Sequence, residues 1–510
     1  MKDYTRKNVR NRKRRIERRL RTRNWKDQRK PMMRASNIDY EMGNRIRGVA
    51  VGGIGLMHLV ARQTGLIEAI DKDVEVLKRH LPYHESDHVL NIAYNALSGG
   101  TCLEDIELRR NDEVYLDALG AERIPDPTTE GDFCRRFTEG DVESLMNSIN
   151  ATRLKVWGQQ PEAFFEEAVL DADGTLAPTG GECKEGMDVA YNGTWGYHPL
   201  VISLANTAEP LCLVNRSGNR PSHEGAGERF DQAIELCRRA GFRQILLRGD
   251  TDFSQTRHLD GWDDQGVGFI FGIDAMKNLV GRANELEAGC WKRLKRPAKY
   301  EVATQPRQRP DNVKERIVRE RGFENIRLKG EDVAEFDYRP GACNREYRVV
   351  VVRKNLSVAK GEQVLFDDIR YFFYITNRKD PAARIVRRAN QRCNQENLIA
   401  QLKNGVHALG MPVGDQTSNW AYMVMVSLAW TLKAWLALLL PETGRWGLKY
   451  REEKQAVLNM EFKTFLNAFI LLPAQLVRTG RRIVFRLLAW NPWLPVLFRA
   501  VSVLRHPLRC

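Results

Sequence analysis

From about Gly48 to Trp157 apolar residues recur at spacings of three and four, the period of amphipathic helices, interrupted by turn signals such as Ser98-Gly99-Gly100. Two small helical units are predicted. In the first, His88 to Leu97 and Leu103 to Arg110 flank the glycine turn; in the second, Thr128 or Thr129 caps a helix that runs through Asp132, Phe133, Arg135 and Arg136. Each has the dimensions of a helix-turn-helix that docks on DNA, and each reads equally well as an ordinary helical hairpin. The period then changes to that of strands at Ala168 to Asp173, His198 to Leu204, Pro210 to Asn215 and Gln244 to Asp250, with an amphipathic helix at Glu228 to Ala240 before the last. That order predicts an α/β fold with a mixed sheet, its acidic strand ends gathered at one edge. After a charged, proline-containing loop at Gln305 to Arg316 come two strong strands, Glu346 to Lys354 and Ile369 to Thr376, which read as a β-rich insertion. Helices resume at Ala382, run into an apolar stretch ending at Leu440, and give way to a basic, tryptophan-containing region with Arg478, Arg481, Arg482, Arg486, Trp490 and Trp493.

These changes divide the chain into six segments: a basic arm at 1–47, a helical domain at 48–160 that carries both possible DNA-docking units, the first part of the α/β core at 161–275, the β-rich insertion at 276–377, the second part of the core at 378–440, and a basic helical carboxyl-terminal region at 441–510. At 510 residues the chain exceeds the usual size of one compact domain, so appended and inserted parts are expected.

Charge adds a partner to this picture. Lys and Arg number 80 against 65 Asp and Glu, a net charge of +15 that favours a polyanion such as nucleic acid. Residues 1–34 hold 16 Lys or Arg and 3 acids, so most of the excess sits in the arm, where Arg14, Arg15, Arg18 and Arg19 are the strongest candidates for DNA phosphate contact. The nine cysteines are scattered and include no C-x-x-C pair, which points away from a disulfide framework or zinc module and toward a reducing, cytoplasmic compartment. His84 and His88 lie one helical turn apart but lack an evident third metal ligand. The amino terminus has no secretory signal, and Ala421 to Leu440, long enough to span a bilayer, carries Lys433 within it and reads better as a buried helix.

The candidate chemistry lies in three acidic segments. Leu170-Asp171-Ala172-Asp173-Gly174-Thr175 and Leu247-Arg248-Gly249-Asp250-Thr251-Asp252 are apolar strands that end in acids, against strand propensity, and such conflicts often mark function. With a side-chain period of two, Asp171 and Asp173 share a face, so Asp171 stands as an additional candidate acid. In the third segment, Arg392 to Lys403, a helical period of about 100° per residue places Glu396 roughly 40° and Lys403 roughly 20° round from Arg392. A carboxylate between two cations on one stripe suits a metal ligand beside DNA phosphates, and by itself suits a solvated salt-bridged helix as well.

Taken together, Asp-x-Thr at the first strand, Gly-Tyr-His-Pro-Leu at 196–200, Arg-Gly-Asp-Thr at the second acid and Arg392-x3-Glu396-x6-Lys403 resemble DDE insertion-sequence transposases, and most of all the insertion-sequence thirteen-eighty family. The resemblance extends from roughly Gly52 to Leu440. It implies an RNase H-like catalytic core, metal ligation by Asp173, Asp250 and Glu396, phosphate contacts from Arg392 and Lys403, and Mg²⁺ as cofactor with Mn²⁺ able to substitute. The implied partners are double-stranded DNA, as transposon ends and as target, and a second copy of the chain in a synaptic complex of the bacterial cytoplasm. One departure stands out: the related Tyr-Arg-Glu-Lys signature has a tyrosine three residues before its arginine, where this chain has Ala389. His198 reads as a structural histidine at a strand start, no G-x-x-x-x-G-K-[ST] loop calls for a nucleotide, and no membrane partner is expected. Two other classes remain open at this point, a structure-selective RNase H-like nuclease and a DNA-binding protein derived from a transposase but no longer catalytic.

Overall fold

The computed structural model describes residues 3–21, 32–33, 35–41, 46–181, 183–295, 327–359, 362–479, 482–506 and 508. The loop expected at Gln305 to Arg316, Arg481, Cys510 and parts of the basic arm lie outside these residues. Within the arm, α1 (Asp3–Leu20) is helical, and Arg14, Arg15, Arg18 and Arg19 are all exposed. Its inner side meets the body of the protein where Arg12 donates to the Leu488 carbonyl.

After a short strand, β1 (Gly48–Val49), seven helices follow: α2 (Ile54–Gln63), α3 (Leu66–Asp73), α4 (Glu85–Leu97), α5 (Ile106–Arg110), α6 (Glu113–Leu119), α7 (Pro127–Cys134) and α8 (Glu139–Trp157). Polar side chains define their starts. Asp112 accepts from Val114 and Tyr115 to cap α6, and Thr138 with Asp141 forms a reciprocal capping box on α8. The cap of α7 is Asp126, not Thr128 or Thr129: its carboxylate accepts from the Thr129 amide at 2.9 Å, and Pro127 occupies the first helical position, where its missing N–H is no loss. In α4 every residue except Asp87 is buried, so this helix of the first expected pair has no face free to enter a DNA groove, whereas Leu108 and Arg110 of α5 are exposed. On α7 the exposed side carries Asp132, with Arg135 and Arg136 just past its end.

The sheet begins with β2 (Glu167–Gly174). Three short strands, β3 (Ala177–Pro178), β4 (Asp188–Val189) and β5 (Trp195–Tyr197), then pair among themselves. The main sheet continues through β6 (Leu200–Leu204), β7 (Glu209–Val214), α9 (Ala226–Ala240), β8 (Gln244–Gly249), α10 (Leu259–Asp264) and β9 (Gly268–Ile273). Its order is β7-β6-β2-β8-β9, with β2 antiparallel to β6 and parallel to β8, and β8 parallel to β9. Three antiparallel strands, a crossing helix and two further parallel strands make the RNase H-like core. Sequence periodicity did not reveal β9, because Gly-Phe-Ile-Phe-Gly-Ile has no polar alternation and is buried on both faces.

The insertion joins the same sheet. After α11 (Lys277–Glu285) come β10 (Lys292–Arg293), β11 (Arg327–Tyr338), β12 (Tyr347–Ala359) and β13 (Glu362–Thr376), an antiparallel series that meets β9 through β13, with Phe373 opposite Ile273, to give nine strands in all. α12 (Ala382–Asn390) covers β9, β11 and β12, and α13 (Cys393–Asn404) covers β2 on the face opposite α9.

The longest helix, α14 (Gln416–Leu438), is buried along almost its whole length and packs against α2, α4, α7, α8 and β7. It holds most of Ala421 to Leu440, the apolar stretch read from sequence as a buried helix, and it is part of the core. Two of its tryptophans find acceptors in the core: Trp430 donates to the Ala208 carbonyl at 2.7 Å and Trp435 to the Glu209 carboxylate at 2.9 Å. Fully buried Glu209 also accepts from Arg153 and Trp157 of α8, each at 3.0 Å. Lys433 donates to the Leu458 carbonyl at 2.7 Å and lies 3.8 Å from the Trp430 ring centre, and burial pulls its ammonium down to about 7. Beyond α15 (Gly447–Leu458) and α16 (Phe462–Phe465), the carboxyl-terminal region departs from the helical expectation: β14 (Ala474–Thr479) and β15 (Arg482–Leu487) form a hairpin that pairs with β1 before α17 (Leu494–Val503). The buried Ala474 and Leu476 and the half-buried Phe485 and Leu487 recur at period two, a signal that the surrounding arginines obscured.

Candidate metal centre at the ends of β2 and β8

β2 and β8 run parallel with Asp171 opposite Arg248, and two residues further along each strand come Asp173 and Asp250. The inner rung is closed. Arg248 donates through Nε and Nη2 to the two oxygens of Asp171, both at 2.7 Å, and through Nη1 to the Arg388 carbonyl at 2.8 Å. Both side chains are buried, so the charge of Asp171 is met inside the protein by a bidentate partner.

The outer rung is open. The Asp173 side chain is 15% exposed, that of Asp250 36% and that of Glu396, on α13, 62%, a gradient running from the sheet toward solvent. Arg392, immediately before α13, lies among them: Nη1 donates to Asp173 at 3.0 Å, and Nη2 stands 3.8 Å from both Asp250 and Glu396. Burial pushes the Asp173 carboxyl up to about 6, Arg392 opposing and the negative charges of Asp250 and Glu396 adding to the rise. Asp250 is raised as well, again by burial first. Burial lowers the Lys403 ammonium while the charge of Asp173 raises it, which places the lysine within the field of the same cluster.

Each acid is held by local structure. Asp250 ends β8 and accepts from the Asp252 amide at 3.1 Å in the tight turn that follows. Glu396 is aimed by its neighbour Gln395, which is buried and donates to the Val201 carbonyl of β6 at 3.0 Å, pinning α13 to the strand beside β2. Sequence reasoning passed over Gln395; its signal was a polar residue on the buried side of a helix whose next residue is an acid. His198 is held more firmly than a strand-start residue needs. Its Nδ1 donates to the Arg220 carbonyl at 2.8 Å, and its backbone is bracketed by that of Arg216 and the Arg216 side chain. A Cβ on Gly174 would stand 2.8 Å from His198 Nε2, so the glycine after Asp173 makes room for the imidazole.

The other expected positions fall elsewhere. His84 and His88 do not act together: His88 is buried against Glu130 at 2.9 Å, whereas His84 stacks on His80 with ring centres 4.2 Å apart beside Glu85. The helix that separates them turns His88 inward. Ala389 lies on α12 against a small core cluster around Ile385 and Val386.

A sheet of this topology with carboxylates at the adjoining ends of its first and fourth strands, and a third on the covering helix, defines a nucleic-acid phosphoryl-transfer enzyme of the RNase H-like class. The family model for transposase DDE domain group 1 matches residues 39–508, nearly the whole chain, and the chain belongs to that family. It is a DDE transposase, a nuclease and strand-transferase that acts on DNA and depends on divalent metal. No curated protein matches. Among solved structures, a piggyBac transposase synaptic complex with hairpin DNA aligns over 81% of this chain and 86% of its own, at 12% identity and a TM-score of 0.31, so the family assignment rests on the sequence match.

Proposed function

We propose that Asp173, Asp250 and Glu396 hold the catalytic metal, Mg²⁺ in the cell with Mn²⁺ able to substitute, and that the chain cuts at terminal inverted repeats and joins the freed ends to target DNA. The observation that carries this reading is the convergence of three carboxylates from three separate elements on a single cationic group, Arg392. A cluster that raises the Asp173 carboxyl to about 6 is short of positive charge, and its donors are all hard oxygens, the ligand type that Mg²⁺ and Mn²⁺ favour. Bound there, a pair of such ions supplies an activated oxygen nucleophile and neutralises charge on the leaving oxygen.

The protein's own groups do the rest. Arg392 shields the acids from one another and, with Lys403 on the same helical stripe, turns to the phosphates on either side of the bond being broken. Asp171 and Arg248 keep β2 and β8 in register beneath the outer rung, and Gln395 keeps Glu396 at its edge. Exposed Arg14, Arg15, Arg18 and Arg19 grip the DNA backbone without reading sequence. Two copies of the chain pair the two ends in the bacterial cytoplasm.

The test uses the full chain with duplexes of the two ends of the DNA element that encodes it, in Mg²⁺. Cleavage at the ends and joining of the 3′ strands to a target are expected, and Glu396→Gln should bind the ends yet cut them more than about 100-fold more slowly. Cutting that follows DNA structure and ignores the end sequence would establish a nuclease instead, and a Glu396→Gln variant with near wild-type cleavage would place the third ligand elsewhere.

A further inference from the structure

Residues 74–84 carry the chain from α3 to α4, and the first turn of α4 is held firmly beside them. Asp71 of α3 accepts from the Ser86 amide at 2.9 Å and from its hydroxyl at 3.0 Å, and Asp87 accepts from the His84 amide at 2.9 Å. Tyr83 stands edge-on to the buried His88 ring, with ring centres 5.5 Å apart. Glu85 turns inward from this platform. Its side chain is 2% exposed; Oε1 accepts from the Leu77 amide at 3.0 Å, and Oε2 meets His80 Nε2 at 3.0 Å. Among the described residues, no lysine or arginine forms an ion pair with Glu85, and the half-exposed His80 ring is the one ionisable group that meets it. A buried carboxylate in that position is short of positive charge.

His84 completes a cluster around the same oxygen. Its ring stacks on that of His80 with centres 4.2 Å apart and planes 18° from parallel, so two imidazoles lie side by side at the mouth of the Glu85 pocket, both exposed. One ring nitrogen from each histidine and one Glu85 oxygen all lie within 4.8 Å of one another. In a four-coordinate zinc site, with bonds of about 2.0–2.2 Å to nitrogen and oxygen, neighbouring ligand atoms stand roughly 3.4 Å apart. The His80–Glu85 edge is already near that length, and the rest is within reach of a rotation of the exposed His84 ring. Glu85 and Asp87 lie in the first turn of α4, where their charge offsets the positive helix end that a cation would otherwise meet.

We propose that His80, His84 and Glu85 form a zinc site, which fastens the loop between α3 and α4 to the start of α4 and leaves its fourth position to water. Two imidazole nitrogens and one carboxylate oxygen suit Zn²⁺, whereas the all-oxygen centre at the ends of β2 and β8 suits Mg²⁺ or Mn²⁺. The two sites therefore take different metals. The ion replaces the proton shared between His80 and Glu85 and supplies the charge that the buried carboxylate lacks. Sequence spacing pointed to His84 with His88, one helical turn apart; the loop instead brings His80 back to His84, and α4 carries His88 inward to Glu130.

Zinc uptake is measured on the full chain in an Asp173→Asn, Glu396→Gln variant under millimolar Mg²⁺, so that zinc at the sheet edge does not enter the count. One Zn²⁺ per chain should bind with a Kd below about 1 µM, and adding His80→Ala and His84→Ala should weaken it more than about 100-fold. Both histidines are exposed, so equal melting temperatures without metal show that the variants are folded. Co²⁺ in place of zinc should give the intense visible absorption of the four-coordinate ion, lost with the histidines. Lys78 and Arg79 are exposed and immediately precede His80, so zinc should slow tryptic cutting there roughly fivefold or more, only where both histidines are present. If the chain without the two sheet-edge acids takes up no zinc, or takes it up equally without His80 and His84, the proposal falls and the reading of Asp173, Asp250 and Glu396 is untouched. Zinc that binds wild type but not the variant lacking those acids lies at the sheet edge and overturns the proposal as well.

Discussion

The two rungs at the ends of β2 and β8 are one pleat apart and contrast in how their negative charge is met. In the inner rung the strands bring an aspartate opposite an arginine, and the pair is bidentate, buried and complete. In the outer rung they bring two aspartates together, and the positive charge comes from Arg392 on a different element, which is shared among three acids and reaches two of them only at 3.8 Å. The same residue type on the same strand thus does two kinds of work. A carboxylate with a dedicated partner fixes the structure, and one left to compete for a shared partner keeps capacity for an ion from outside.

The comparison can be broken most decisively by exchanging the two aspartates for asparagine. Asp173→Asn should lower end cleavage more than about 100-fold in Mg²⁺ and in Mn²⁺ alike, since the lost charge is the outer rung's most enclosed. Asp171→Asn should act on the fold, leaving Arg248 buried without its partner and lowering stability by about 3–5 kcal/mol in chemical denaturation. Its folded fraction should still cut. Robust cleavage by a folded Asp173 variant beside a dead, folded Asp171 variant would reverse the roles of the rungs.

A smaller effect sharpens the contrast without any DNA. Because burial raises the Asp173 carboxyl to about 6, its charge is disfavoured in the fold relative to the unfolded chain. The stability linked to this group is therefore present below about pH 4 and lost as the pH rises through about 6. An uncharged asparagine side chain at this position carries no such loss. Without metal at about pH 8, Asp173→Asn should be more stable than wild type by on the order of 2 kcal/mol, with the gap closing as the pH falls from about 6 toward 4. Denaturation midpoints across that range measure it, and a gap that widens on acidification would show that Arg392 satisfies Asp173 fully.

Much of this was legible in the sequence because it follows from local pattern. Apolar strands ending in acids located β2 and β8, the side-chain period placed Asp171 and Asp173 on one face, and the helical period aligned Arg392 with Glu396. What stayed hidden depends on contacts between distant residues. Nothing local says that Arg248 closes on Asp171 or that Gln395 anchors α13 on β6. Burial of α4 is a property of α14, more than three hundred residues later, and only that burial distinguishes a core helix from one able to read DNA. β9 was missed for a related reason: a strand covered on both faces loses the alternation that announces a strand.

The position of α14 in the chain has a consequence for how the protein is made. The amino-terminal helices it packs against, α2, α4, α7 and α8, are complete by Trp157, but the hub itself ends at Leu438, about 280 residues later. At roughly 5–20 residues per second, a ribosome takes on the order of 15–60 s to cover that distance. Throughout that interval the nascent amino-terminal third exposes the apolar surfaces destined for α14, a long window for chaperones to occupy. Translation speed through the β insertion thereby sets part of the time those surfaces wait for α14.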